Sequence, residues 1–131
     1  MATIRRDIPV DAPPEAAWAA VRDVGAAHRR LTPGVLTDCR LEEGARVVTF
    51  ANGMVVRELI VAVDDEARRF AWSARSERFV HHNASLEVLP AGDGKSRLVW
   101  IADLLPDELA PTVAGLMDAG AAAMQRTLRD G

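Results

Sequence analysis

The spacing of apolar and polar residues changes along the chain, and each change marks a new element. Thr3 to Val10 alternates with period two and predicts a first strand. Asp11 followed by Ala12, Pro13 and Pro14 reads as a helix start, with Asp11 as a cap and proline tolerated in the first turn. Glu15 to Val24 predicts a short helix with Ala17, Val21 and Val24 on one stripe beside Trp18, ended by Gly25. Ala26 to Leu31 predicts another short helical turn before Thr32, Pro33 and Gly34 break the chain.

From Val35 the period returns to two. Strands are predicted over Val35–Leu41, Arg46–Ala51, Met54–Val63, Arg69–Arg75, Val80–Leu89 and Arg97–Leu104. The breaks at Glu43-Gly44, Asn52-Gly53, Asp64-Asp65-Glu66 and Gly92-Asp93-Gly94 are short and carry turn residues. Consecutive strands are therefore expected to form antiparallel hairpins. The break at Ser76, Glu77 and Arg78 carries weaker turn chemistry. Beyond Pro106 the spacing becomes three and four, through Leu109, Val113, Leu116, Met117, Gly120, Met124 and Leu128. That stripe predicts a helix to about Arg129, with Asp107 and Glu108 in its first turn and Arg126 and Arg129 near its end, as the helix dipole favours. Pro111 lies close enough to the start to be tolerated.

The order strand, two short helices, six antiparallel strands, long helix implies an α+β domain. Seven strands in one sheet twist and coil, and one helix cannot fill the concave side of a sheet that wide. Gly120, with Ala119 and Ala121 to Ala123 beside it, either lets helix and sheet approach closely or leaves room for a chamber. An internal, largely apolar cavity is expected.

At 131 residues the chain fits a single domain, spanning 1–131, and 49% hydrophobic residues suffice for a core. The net charge of −3 is spread along the chain with no basic block, which argues against nucleic acid as a partner. Cys39 is the one cysteine, so an intrachain disulfide and a Cys-rich metal site are excluded, and it reads as a small buried hydrophobe. His81 and His82 are adjacent on a strand and point to opposite faces, leaving only His28, so no metal is expected. No nucleophile elbow, phosphate-cradling loop or dinucleotide fingerprint is present, and no cofactor is expected. The first residues alternate apolar and charged side chains, unlike a signal peptide, and no window reaches the ~20 apolar residues of a membrane helix. A cytoplasmic protein without membrane insertion, monomer or homodimer, is the expectation.

Several stretches carry a family resemblance over essentially the whole chain. They are Ile8 to Trp18, the triplet Val56, Arg57 and Glu58 with Asp64, Arg69 to Trp72, His82 to Val88, Arg97 to Trp100, and the terminal helix. Together they resemble the START-like, or SRPBCC, superfamily with the helix-grip fold, near its polyketide cyclase/dehydrase and lipid-transport branch. The resemblance implies a curved seven-stranded sheet wrapped around the long helix. It also implies carriage of a hydrophobic small molecule or, in some members, cyclisation or dehydration in the same cavity. Related chains often carry tyrosine where this one has His82. No Tyr occurs here, which excludes a mechanism built on a phenol acid.

The pleat selects the side chains that face the cavity. Ala84, Leu86 and Val88 set the inner phase of their strand, so His82 faces in and His81 out. Leu98, Trp100, Ala102 and Leu104 share that face if Gly92-Asp93-Gly94 forms a three-residue loop. In Met54–Val63 both phases are apolar, so the pattern admits Arg57 or Glu58 inside, and the family resemblance favours Glu58. A two-residue Asn52-Gly53 turn would pair Thr49 with Val56. Trp72 and Trp100 on the sheet and Met117 and Met124 on the helix complete the expected ligand contacts, and each is equally at home in a core. A carrier or sensor of a lipid, isoprenoid or polyketide-like molecule needs only such a cavity with a few polar anchors. A cyclase or dehydratase would use His82 and Glu58 as acid–base groups. An interaction module would fill the cavity with its own side chains.

Overall fold

A computed structural model describes residues 1–131. Seven strands form one antiparallel sheet: β1 (Ala2–Val10), β2 (Leu36–Glu42), β3 (Ala45–Phe50), β4 (Val55–Asp64), β5 (Arg69–Arg75), β6 (His81–Pro90) and β7 (Ser96–Leu105). Their order across the sheet is β1-β7-β6-β5-β4-β3-β2, so β2 to β7 form a meander of hairpins and β1 closes onto β7. Helices α1 (Pro14–Arg22) and α2 (Ala27–Arg30) cross over between β1 and β2, and α3 (Ala110–Asp130) ends the chain. The expected α+β helix-grip architecture is present, with strand ends shifted by a residue at most.

Local chemistry departs from expectation at four points. Asp11 is exposed and does not cap α1, which begins after Pro13 with no side-chain cap. Helix α1 stops at Arg22, and Gly25 lies in a following 3-10 turn over Val24–Ala26. The glycine serves close approach there: a Cβ on it would meet Leu41 Cγ at 2.8 Å. Phe50 N–H donates to the Met54 carbonyl, so Ala51, Asn52 and Gly53 form a three-residue turn and Thr49 pairs with Val55 instead of Val56. A bulge at Val61 then switches the phase of β4, which is why neither alternation fits the whole strand. Val56, Glu58 and Ile60 face the concave side before it, and Val63 pairs with Phe70 on that side after it.

The Gly92-Asp93-Gly94 loop does have three residues, with Ala91 N–H donating to the Lys95 carbonyl. Val88 therefore pairs with Leu98 and Leu86 with Trp100, and both even sets share the concave face. Helix α3 lies across that face. Arg6 Nε donates to Asp118 at 2.7 Å and Gln125 Nε2 to the Pro9 carbonyl at 2.9 Å, tying the helix to β1. A short 3-10 turn over Asp107–Leu109 precedes α3, which places Pro111 in the first turn, where no helical N–H is lost. Trp18 Nε1 and Arg22 Nε both donate to Asp65 Oδ1, at 2.8 and 2.7 Å, and dock α1 on the β4–β5 turn. No helix is long and apolar enough to cross a membrane.

The buried apolar residues fall into two clusters. The larger joins α1 and α3 to β1, β5, β6 and β7 through Ile8, Trp18, Leu86, Leu98 and Met117. The smaller packs α2 against β2 to β5 through Ala27, Leu36, Val48, Val56 and Ala74.

Candidate functional site

Residues of both clusters line one chamber. It offers about 110 Å³ to the centre of a water-sized sphere, several times what one water requires, and 19 of its 24 lining residues are hydrophobic. Helix α3 contributes Val113, Leu116, Met117, Gly120 and Met124. Val35, Phe50, Met54, Phe79 and Leu116 are lining residues that keep some exposure. Ala119 and Ala121 to Ala123, expected to make the space, do not line it: Ala119 and Ala122 face solvent and Ala123 is packed. Gly120 acts differently from a spacer. A Cβ there would lie 2.9 Å from Trp100 Cζ3, so the glycine admits the indole edge against the helix.

All six side chains singled out as ligand contacts, Glu58, Trp72, His82, Trp100, Met117 and Met124, line this chamber. Trp72 stacks on Phe70 with ring centroids 4.8 Å apart and faces Trp100 at 6.3 Å, which builds an aromatic wall. His82 is inside, with its ring 4.6 Å from that of Phe79, and His81 does not line the chamber. His82 Nδ1 is buried without a hydrogen-bond partner. Burial, with His81 nearby, lowers its pKa below the ordinary 6.5, so the imidazole is neutral at pH 7.

Between Arg57 and Glu58 the structure places Glu58 inside. Arg57 is exposed and donates to Glu42. Glu58 is held by a residue that the sequence pattern did not single out: Arg46 Nε donates to Glu58 Oε1 at 2.8 Å, and both side chains are buried. Arg46 Nη1 also donates to the Val24 carbonyl at 3.0 Å, and the guanidinium lies 4.9 Å over Phe70 and 5.6 Å over Trp72. The signal was the register. A three-residue turn after Phe50 sets Arg46 directly opposite Glu58, whereas a two-residue turn does not. Phe50, Phe70 and Phe79 were missed as well, because an aromatic on a strand is equally a core residue.

His82 and Glu58 are not hydrogen-bonded to each other; Arg46 occupies Glu58 Oε1. Both line the chamber: Arg46 pairs with Glu58 and Glu58 with Ala74, while the paired stretch of β5 and β6 ends at Ser73 and Asn83, one residue short of Ala74 and His82. Cys39 is not part of the site: its thiol donates to the Val24 carbonyl, and burial raises its pKa.

The chain matches, over residues 1–131, the family described as polyketide cyclase/dehydrase and lipid transport. No protein of curated function matches it. Among solved structures it is similar to a protein from Thermobifida fusca, with 29% identity, a TM-score of 0.75, and coverage of 98% of this chain and 91% of that one. A START superfamily protein from Mycobacterium smegmatis is 14% identical with a TM-score of 0.77, covering 98% and 97% of the two chains. The di-domain ARO/CYC protein BexL of the BE-7585A biosynthetic pathway is 18% identical with a TM-score of 0.82, covering 98% of this chain and 46% of that chain.

Proposed function

We propose that this chain, a member of the polyketide cyclase/dehydrase and lipid-transport family with the START-like fold, binds a small hydrophobic molecule in the chamber between its sheet and α3. The observation that carries this reading is the chamber itself. A domain of this size tends to close its core, yet here two apolar clusters stop short of each other around an open, aromatic-walled space. Phe70, Trp72 and Trp100 supply flat apolar contacts, and Met117 and Met124 can adjust to an irregular ligand. Glu58 and His82 are the polar anchors, and the role of carrier or sensor requires no more than these.

The test is titration with N-phenyl-1-naphthylamine, an uncharged fluorophore that brightens in apolar sites, together with native mass spectrometry of the protein purified from its source cell. Saturable binding that Trp100→Ala weakens, or a co-purified apolar mass, is the expected result. Absence of both would leave the chamber without a ligand and favour an interaction module.

A catalytic reading rests on one further observation, a neutral His82 in the apolar chamber wall. Its Nδ1 is sealed off, so the other ring nitrogen would carry proton transfer to or from a bound polyketide-like carbonyl compound. Glu58 would act as a second polar group of the same lining.

A further inference from the structure

We infer that the Arg46–Glu58 pair forms a charge-neutral polar anchor in the chamber wall that selects uncharged ligands bearing a neutral donor–acceptor group, such as an amide, a hydroxyl or an enolised dicarbonyl, and discriminates against carboxylates. This deepens the proposed binding function and rests on it.

The guanidinium is fixed before any ligand arrives. Nε is held by Glu58 Oε1 and Nη1 by the Val24 carbonyl, and the plane is packed over Phe70 and Trp72. Arg46 Nη2 and Glu58 Oε2 have no hydrogen-bond partner in the protein, yet neither is a sealed-off buried atom. Both residues line the chamber, so this free donor and acceptor are assigned to its wall. His82 lines the same chamber, but its Nδ1 is a sealed-off atom that a ligand does not touch.

Charge decides what this pair accepts. The arginine charge is already neutralised at 2.8 Å by Glu58, and no second cation lines the chamber. A carboxylate entering would lose its hydration and meet the Glu58 carboxylate beside the donor it seeks. Such a group stays uncompensated, and burying it is costly. A neutral group with one donor and one acceptor can satisfy Arg46 Nη2 and Glu58 Oε2 together at no cost in charge. The small side chain of Ala74 leaves the surface above it open for that group.

The experiment measures displacement of N-phenyl-1-naphthylamine at pH 8 by naphthalene, 2-naphthamide and 2-naphthoate, which share a ring and differ in polar group and charge. Wild type is expected to bind the amide tightest and the carboxylate weakest, with amide and carboxylate about tenfold or more apart. Glu58→Gln keeps the shape and an acceptor for Arg46 but leaves the guanidinium charge unbalanced, so the preference should narrow strongly or reverse. Should that variant fail to fold, Arg46→Met combined with Glu58→Leu replaces it, and there the amide should lose its advantage over naphthalene. Carboxylate bound as well as amide by wild type overturns the inference while leaving the binding function intact. An unchanged preference in folded Glu58→Gln also overturns it. Failure of the fluorophore and all three competitors to bind overturns the binding function itself.

Discussion

Arg46 and Glu58 are charged residues in an otherwise apolar wall, and each is tolerable only because of the other. Removing one partner leaves an uncompensated charge at 6% or 8% exposure. Arg46→Met should therefore lower stability by about 3–5 kcal/mol, whereas the paired change to apolar residues should be close to neutral. Urea denaturation of the two variants checks this, and equal losses in both would show that packing rather than charge holds the site. His82 makes a different kind of demand. Its folded-state pKa lies below the ordinary 6.5 because burial disfavours the imidazolium, so as pH falls the unfolded chain takes up this proton first. The neutral-site stability is fully present above pH 6.5 and is lost as pH drops from there toward the folded value. His82→Phe should flatten that acid-side decline, measured as melting temperature between pH 8 and 5, and should keep affinity for a purely apolar fluorophore. If the protein is a catalyst, the same variant should lose 10²–10⁴-fold in turnover while still binding.

Among the elements, the contact between α3 and β7 sets the shape of the chamber. Gly120 admits the edge of Trp100, and an added methyl would sit 2.9 Å from the ring, too close to stay. The indole also lines the chamber, so it can yield toward that space. In Gly120→Ala the helix-propensity gain of about 1 kcal/mol offsets most of the packing strain. The prediction is a melting point close to wild type but a clear loss of fluorophore affinity, because Trp100 now occupies ligand space. A variant with wild-type affinity and a lowered melting point would place the strain in the helix–sheet contact instead. The elements themselves were legible in the sequence because turn residues punctuate every hairpin except that between β5 and β6, and α3 carries an unbroken stripe. Register was harder to read. The bulge at Val61 makes both phases of β4 apolar, and one extra turn residue after Phe50 decides whether Arg46 meets Glu58. An inward arginine also runs against the polarity rule by which inner faces are recognised, so it was passed over. His82 was legible because its strand alternates cleanly from Ala84 to Val88. The alanines flanking Gly120 misled, since small side chains on a helix permit a void without showing which way they face.

At the scale of the whole molecule, an internal void is a stability cost that a ligand removes. The chamber walls lack partner atoms on one side, and lining side chains such as Trp100 and Leu116 forgo dispersion contacts that a flat apolar ligand would restore. Any molecule that binds only the folded chain stabilises it by mass action, by about 2.7 kcal/mol at a hundredfold excess over Kd. For a domain of this length that corresponds to roughly 10 °C in melting temperature. Surface association would raise the melting point too, so the readout is paired with tryptophan emission. Trp72 and Trp100 line the chamber, whereas Trp18 does not and is held by Asp65 at the α1 contact. Binding of 2-naphthamide should therefore raise the melting temperature and change the emission of wild type. In Trp72→Phe and Trp100→Phe the emission change should shrink, and in Trp18→Phe it should persist. A melting shift whose emission change vanishes with Trp18 alone would locate the ligand outside the chamber, at the α1 side of the sheet.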